Sequence, residues 1–340
     1  MIEHHSPIGV AAYQDLLRLL EEESVSDVRG KPWRKQVGQK GYWYDRYRIG
    51  DAVKDRYLGE DTPALRARLE RHEALAADRR RNALERSRLA RVLQAERYRT
   101  TDGATGKILA AFAKAGVFRL GGTLVGTHAF RCYEAVLGCR MRFDETASTN
   151  DLDIASFERL SLALDDMAEP PLARIFAEMK FEQAPSLDGR SSWRWRQAER
   201  GTLVEFLTPS FDERETVRTL KALGVKAQSL HFLNYLIKEP IRAAVLYRQG
   251  ILVQIPQPER FAIHKMIVAD RRRDGPDSLK ARKDRAQAAW LVEVLAEERP
   301  HDLAAARDEA MAAGEAWRIR LAATLEHLPR TREILAGLPS

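Results

Sequence analysis

Asp151 and Asp153 stand one residue apart in Asp151-Leu152-Asp153-Ile154-Ala155, a stretch whose alternation of acid and apolar residue predicts a short strand. On a strand, side chains at i and i+2 leave the same face, so both carboxylates aim at one place. Two carboxylates so placed can hold two divalent cations about 3.5–4 Å apart, one activating an attacking hydroxyl and the other steadying a triphosphate leaving group. Magnesium suits that task because it binds through one or two carboxylates plus phosphate oxygens rather than through a full protein cage. Surface strands and turns also carry acid pairs of this spacing, so the neighbours decide what the pair means.

Upstream, Leu124-Val125-Gly126-Thr127-His128-Ala129-Phe130 puts a glycine and a hydroxyl residue where a helix opens after an apolar run. A glycine lets backbone approach phosphate closely, the helix start supplies unpaired N–H groups, and Thr127 adds a hydroxyl donor for a β- or γ-phosphate. The same two residues also read as a packing glycine followed by a helix-capping threonine. Downstream, Glu205 is the one acid in the apolar strand pattern Thr202-Leu203-Val204-Glu205-Phe206-Leu207. A buried acid is costly unless it meets a cation or a metal, whereas on an edge strand it simply faces water. Lys265 lies among Phe261, Met266 and Ile267, which fits either a phosphate contact or a lysine whose stem runs along apolar surface. His128 and His264 have no partner at metal-ligand spacing and read as core or supporting histidines. Arg271-Arg272-Arg273 fits a polynucleotide contact or a helix end complemented by positive charge, and Arg140 and Arg142 are candidate phosphate contacts.

Taken in order, a strand, Gly-Thr, a helix and Asp-x-Asp on the next strand resemble the signature of the DNA polymerase β-like nucleotidyltransferases. Within that superfamily, the blocks Leu124–Phe130 and Thr149-Asn150-Asp151-Leu152-Asp153-Ile154-Ala155 resemble a bacterial nucleotidyltransferase-fold family related to AbiEii-type and MNT-type toxin enzymes. Ile255-Pro256-Gln257-Pro258-Glu259-Arg260-Phe261-Ala262-Ile263-His264-Lys265 and Lys283-Asp284-Arg285-Ala286-Gln287-Ala288 are similar to its downstream motifs, so the likeness spans roughly residues 105–295. It implies an α/β (α+β) nucleotidyltransferase core that moves a nucleoside monophosphate from an NTP to an acceptor hydroxyl, with Mg²⁺ (or Mn²⁺) as cofactor. Asp151, Asp153 and Glu205 would then be the catalytic, metal-binding acids, and Gly126, Thr127 and Lys265 would hold the nucleotide. The Lys283-Asp284 pair resembles one in the related toxins, although a salt-bridged helix pair fits it too. Two departures stand out: 24 residues separate Gly126 from Asp151, more than in minimal members, and the third acid is glutamate rather than the commoner aspartate. The alternatives are a low-turnover regulatory or toxin–antitoxin or phage-defence module of the same fold, with a cognate regulatory protein as partner, and a metal-dependent nuclease. The Gly-Thr helix start, which wants a triphosphate, speaks against the nuclease.

The elements that must position these residues follow from periodicity. Residues 10–24 predict an amphipathic helix, and 62–98 a long arginine-rich helical stretch. Between them, Lys31, Trp33, Arg34, Lys35, Tyr42, Trp43, Tyr44, Arg46, Tyr47 and Arg48 interleave cations with aromatics, a pattern that suits base stacking or an aromatic mini-core with cations reaching outward. The turn cluster 101–106 marks a boundary. After it come an expected buried strand at 117–125, helices at 127–137, 157–167 and 171–179, and strand pairs at 191–197 with 202–207 and at 241–247 with 251–255. From Pro258 onward the pattern is helical. The expected domains are a helical, basic N-terminal region (1–100), the core (101–257) and a helical C-terminal domain (258–340).

Composition bounds the rest. The net charge is +7, and residues 61–100 hold eleven arginines against six acids, which favours RNA or tRNA as a partner, although a solvated helix face explains the same run. No signal peptide or membrane span is read, so a cytoplasmic protein is expected. Cys132 and Cys139 have neither zinc-knuckle nor redox spacing and read as reduced core thiols.

Overall fold

The computed structural model describes residues 2–25, 30–37, 40–49, 52–141, 149, 151–158, 167–184, 192–199, 201–211, 214–273 and 278–339. Arg142 and most of the expected helix 157–167 fall outside these. Helices α1 (Pro7–Val25) and α2 (Pro63–Ala95) form where the periodicity places them, and Thr62 caps α2 by accepting the Leu65 N–H. Between them the chain is not helical. Strands β1 (Lys31–Val37), β2 (Lys40–Ile49) and β3 (Ala52–Glu60) form an antiparallel sheet in the aromatic segment between the two helices, so the N-terminal region expected as helical also holds a sheet. The cause is the aromatic content itself, because Trp and Tyr favour a pleated surface and pair across strands. Trp33 faces Tyr44 in register and stacks on it at 5.5 Å, and the Arg46 guanidinium lies 4.2 Å above the Trp33 ring. Trp33, Tyr44 and Arg46 thus contact one another across the sheet.

The core is a seven-stranded mixed sheet with helices around it. Asp102 caps α3 (Gly103–Ala115) by accepting the N–H groups of Ala104 and Thr105, and the chain then turns through 117–122. The strand expected at 117–125 shrinks to β4 (Thr123–Val125), because Gly121 sits in the left-handed region at φ +88° and breaks the extended run. Helix α4 (Gly126–Leu137) follows, then β5 (Asp151–Ala155), α5 (Leu172–Glu178), β6 (Phe181–Gln183), β7 (Arg194–Gln197), β8 (Leu203–Ser210), β9 (Val217–Leu220) and β10 (Val225–His231). Strand order is β4-β5-β8-β10-β9, with β7 pairing β8 and β6 pairing β7. β5 and β8 run parallel, and β4 and β7 run antiparallel to their neighbours. Leu152, Ile154, Val204 and Phe206 are fully buried, so the residues alternating with them, Asp151, Asp153 and Glu205, share the opposite, half-buried face.

A two-stranded hairpin, β11 (Ile241–Val245) with β12 (Ile251–Ile255), leads into helices α6 (Pro258–Arg271), α7 (Ser278–Glu298), α8 (Pro300–Ala312), α9 (Glu315–Glu326) and α10 (Pro329–Ala336). α6 is buried nearly all round, which explains why its hydrophobic stripe is hard to read: Phe261, Ile263, Met266 and Ile267 face every side and α7 to α9 enclose them.

Candidate active site

Four strands bring one residue each into a single row. Val125 pairs with Asp153, Asp153 with Glu205, and Glu205 with Arg194, across β4, β5, β8 and β7. Directly opposed residues share a face with Cβ atoms about 4.5–5.5 Å apart, so the two carboxylates confront each other and Arg194 closes the row. Its guanidinium Nε lies 2.8 Å from the Glu205 carboxylate. Asp151 occupies the same face one step earlier on β5, opposite Leu203.

Like charges in a partly dry place raise carboxyl pKa values. Burial, then the charges of Glu205 and Asp151, push the Asp153 carboxyl up to about 7. Glu205 is also raised, by burial first, and Arg194 pulls it back. This acid pair has an unmet demand for positive charge, and its donors are all hard carboxylate oxygens. A divalent cation of the Mg²⁺ type fits that donor set. The three acids are not fully gathered, however: among the described residues, the one group of three metal-competent side chains with mutually close donor atoms is His4, Cys139 and Glu298.

Gly126 joins the row through its backbone. It lies at φ +65°, the left-handed region that glycine alone adopts cheaply, and a Cβ there would press into the Asp153 carboxylate. α4 begins at this glycine with Val125 as its cap, which offers no side-chain hydrogen bond to the first turn. Thr127 is therefore not the helix cap but a buried residue within that turn.

A cavity of about 330 Å³ opens over the row. Gly126, Asp153, Glu205 and Lys265 line it, whereas Asp151 and Thr127 stand outside its wall. Its lining also includes apolar Leu230, Leu233, Leu236, Phe261 and Val268, and Arg194, His231, Arg271 and Arg272. Lys265 is buried, and its ammonium donates to Asp284 at 2.5 Å while Arg272 reaches the other oxygen of that carboxylate at 2.6 Å. Asp284 is held below its usual range by these two cations despite its burial. Asp284 is thus shared by Lys265 and Arg272. Lys283 lies close by and is pushed down to about 8 by burial and by Lys265, with Asp284 and then Asp151 opposing the shift.

His264, in the cavity wall, is driven down to about 3, and His128 to about 4, in both cases chiefly by burial, so both are neutral at pH 7. The arginine triplet is spoken for: Arg271 meets Glu215 at 2.7 Å, Arg272 meets Asp284, and Arg273 meets Asp270 at 2.9 Å. Arg140 lies 3.5 Å from Glu3, away from the cavity. Four N-terminal arginines are ion-paired, Arg34 and Arg66 with Asp61, Arg46 with Asp55 and Arg86 with Glu23. Arg194 and the β10 residues Leu230 and His231 were not expected in the site. The alternation Trp193-Arg194-Trp195-Arg196 opposite an acid-bearing strand carried the first of these signals, and Val225-Lys226-Ala227-Gln228 the second.

Residues 103–312 match the family model described as nucleotidyltransferase. The chain belongs to the nucleotidyltransferase family. The matched span runs from α3 to α8 and so contains every residue of the row and the cavity. A second match, to a domain of unknown function, covers residues 11–67, that is most of α1 and the three-stranded sheet. Among solved structures, an antigenic nucleotidyltransferase-like protein from Paracoccidioides brasiliensis is similar, with 12% identity, a TM-score of 0.39, and coverage of 70% of this chain and 95% of that one. Comparison with curated proteins gives no match. None of the described helices is long and apolar enough to cross a membrane.

Proposed function

We propose that this nucleotidyltransferase moves a nucleoside monophosphate from an NTP to an acceptor hydroxyl, and that it does so with a divalent metal, Mg²⁺ or Mn²⁺. The observation that carries this reading is Gly126, Asp153 and Glu205 gathered in the lining of one cavity that cations and apolar side chains complete. Asp153 and Glu205, with Asp151 beside them, are the residues that would hold the metal. Bound there, it would supply Lewis-acid stabilisation of the charge that develops on the transferred phosphoryl group.

The remaining work falls to the chain's own side chains. Lys265 and Arg272 place positive charge where a triphosphate needs it, and Asp284 keeps both in position. The backbone at Gly126 and the uncapped first turn of α4, including Thr127, offer N–H groups to phosphate oxygens. Glu205, whose carboxyl is raised, suits acceptance of the proton from the acceptor hydroxyl. The apolar wall of Leu230, Leu233, Leu236 and Phe261 gives a nucleobase a dry face. RNA as acceptor, a cytoplasmic location and a cognate regulatory partner belong to the same proposal.

The test incubates the protein with each labelled NTP, Mg²⁺ or Mn²⁺, and total RNA or protein. Label transfer that disappears in Asp153→Asn is expected. NTP binding without transfer to any acceptor would favour the low-turnover regulatory reading, and RNA shortening without transfer would favour a nuclease.

A further inference from the structure

The one group of three metal-competent side chains with mutually close donor atoms, among the described residues, is remote from the carboxylate row. His4 comes from the segment before α1, Cys139 from the residues after α4, and Glu298 from the last position of α7. The His4 Nδ1 lies 3.6 Å from the Cys139 Sγ and 3.9 Å from the Glu298 carboxylate. Zinc bound at about 2.3 Å to sulfur and about 2.0–2.1 Å to nitrogen sets its tetrahedral ligands about 3.6 Å apart, so the first pair already stands at a coordination edge. The second pair needs only a small rotation of a glutamate that is 42% exposed.

We propose that His4, Cys139 and Glu298 form a zinc-class metal site, independent of the nucleotidyl-transfer centre, that fastens the N-terminal segment to the end of α7. The backbone is already arranged for it. His4 and Cys139 form an isolated antiparallel bridge, the His5 N–H donates to the Gly138 carbonyl at 2.8 Å, and the Arg140 N–H donates to the Glu3 carbonyl at 2.7 Å. This fixes two ligands from residues 135 positions apart before any ion arrives, which lowers the ordering cost of binding. The donor set is His, Cys and carboxylate, which suits Zn²⁺ and not Mg²⁺. Cys139 is fully buried while His4 is half exposed, so the sulfur is shielded from solvent and the outer side stays open to a water as fourth ligand. Binding forms the Zn–S bond as the S–H bond breaks and its proton passes to solvent. No cysteine spacing foretells this site, because its ligands lie far apart in sequence and only the bridge assembles them. None of the three lines the cavity.

The experiment uses the full chain, stripped of metal, in excess Mg²⁺ so that hard-carboxylate sites are filled, and titrates Zn²⁺ and then Co²⁺. One equivalent of Zn²⁺ that Mg²⁺ does not displace is expected, and the Co²⁺ form should show a thiolate-to-cobalt charge-transfer band. Removing ligands' supporting partners alone costs 10–100-fold in metal affinity, so His4→Ala should weaken Zn²⁺ binding at least about tenfold. Cys139→Ser should lose the band and Asp153→Asn should keep it. Because Cys139 is buried, folding of its variant is checked by circular dichroism; should it fail, the half-exposed His4→Ala decides alone. No retained Zn²⁺ in the wild-type chain, or binding and band unchanged in His4→Ala, overturns the proposal.

Discussion

At the scale of residues, the site is a dispute over charge. Asp153 carries a proton at a pH where an ordinary aspartate would not, because Glu205 and Asp151 face it in a place with little water. A carboxyl whose folded-state pKa lies above its unfolded value stabilises the fold when protonated and destabilises it when charged. For Asp153 the window runs from its ordinary 3.8 to about 7: without metal, its cost to stability is fully present above pH 7 and fades as the pH falls towards 4. Asp153→Asn removes the charge but keeps the shape. Its melting temperature should therefore exceed that of the metal-free wild type at pH 7.5, by roughly 2–4 °C for each kcal/mol of repulsion relieved. The two should converge near pH 4, while nucleotidyl transfer by the variant falls about 10³-fold, as when one stabilising group is lost from a transition state. Thermal scans across pH, paired with label transfer, check both parts. Equal melting temperatures at pH 7.5 would mean that Asp153 is not under strain. The acids themselves were legible in the sequence, since alternation on a strand fixes a face. Their neutralising cations were not, because Arg194 and Arg272 reach the site through strand pairing and helix packing that spacing does not encode.

At the scale of elements, the β4–α4 junction and the α6–α7 pair hold the site from two sides. Gly126 was legible as a close-approach glycine, but the group approached is Asp153 of this same chain. Gly126→Ala therefore faces two penalties, a left-handed backbone that costs about 1–2 kcal/mol and a methyl group against a carboxylate. Gly224→Ala bears the first alone, as φ there is +66° with open space around it. Urea unfolding should find both variants destabilised, and label transfer should collapse in Gly126→Ala only. Lys265 and Asp284 join α6 to α7 through a buried ion pair. Breaking such a pair from one side costs about 3–5 kcal/mol, while replacing both partners with apolar residues is often neutral. Arg272 still holds the other Asp284 oxygen in Lys265→Met, so that variant should fall at the low end of this range, and Lys265→Met/Asp284→Leu should recover part of the stability without recovering transfer, because the charge proposed to face phosphate is still missing. Recovery of activity in the double variant would leave Lys265 with a structural role alone.

At the scale of the whole molecule, one hydrophobic cluster packs α1 and α2 against the core. The helical periods of α1 and α2 are real, but of the turn expected at 101–106 only Thr101 and Asp102 lie outside a helix, because Gly103–Gly106 form the first turn of α3. What the sequence does not show is that β11 supplies a surface for α1. Tyr13, Leu16 and Leu20 pack with Leu89, Leu93 and Tyr98, and also with Ala135 of α4, Ala244 of β11 and Leu246 just after it. The Ala244 N–H donates to the buried Tyr13 hydroxyl at 3.1 Å, so a backbone donor on an edge of the hairpin depends on a residue more than 200 positions away. Leu16 is wholly buried at the centre of this cluster. Leu16→Ala should cost about 2–5 kcal/mol, as other buried leucine truncations do. If the cluster binds the N-terminal helices and the core into one cooperative unit, that loss shifts unfolding of the entire chain. Tryptophan fluorescence reports mostly on the core and C-terminal helices, which hold Trp193, Trp195, Trp290 and Trp317, while far-ultraviolet circular dichroism also reports on α1 and α2. The two signals should move together to lower denaturant in Leu16→Ala, with transfer activity intact below the transition. An early circular-dichroism transition with fluorescence left in place would show instead that residues 1–100 fold as a separate unit resting on the nucleotidyltransferase core.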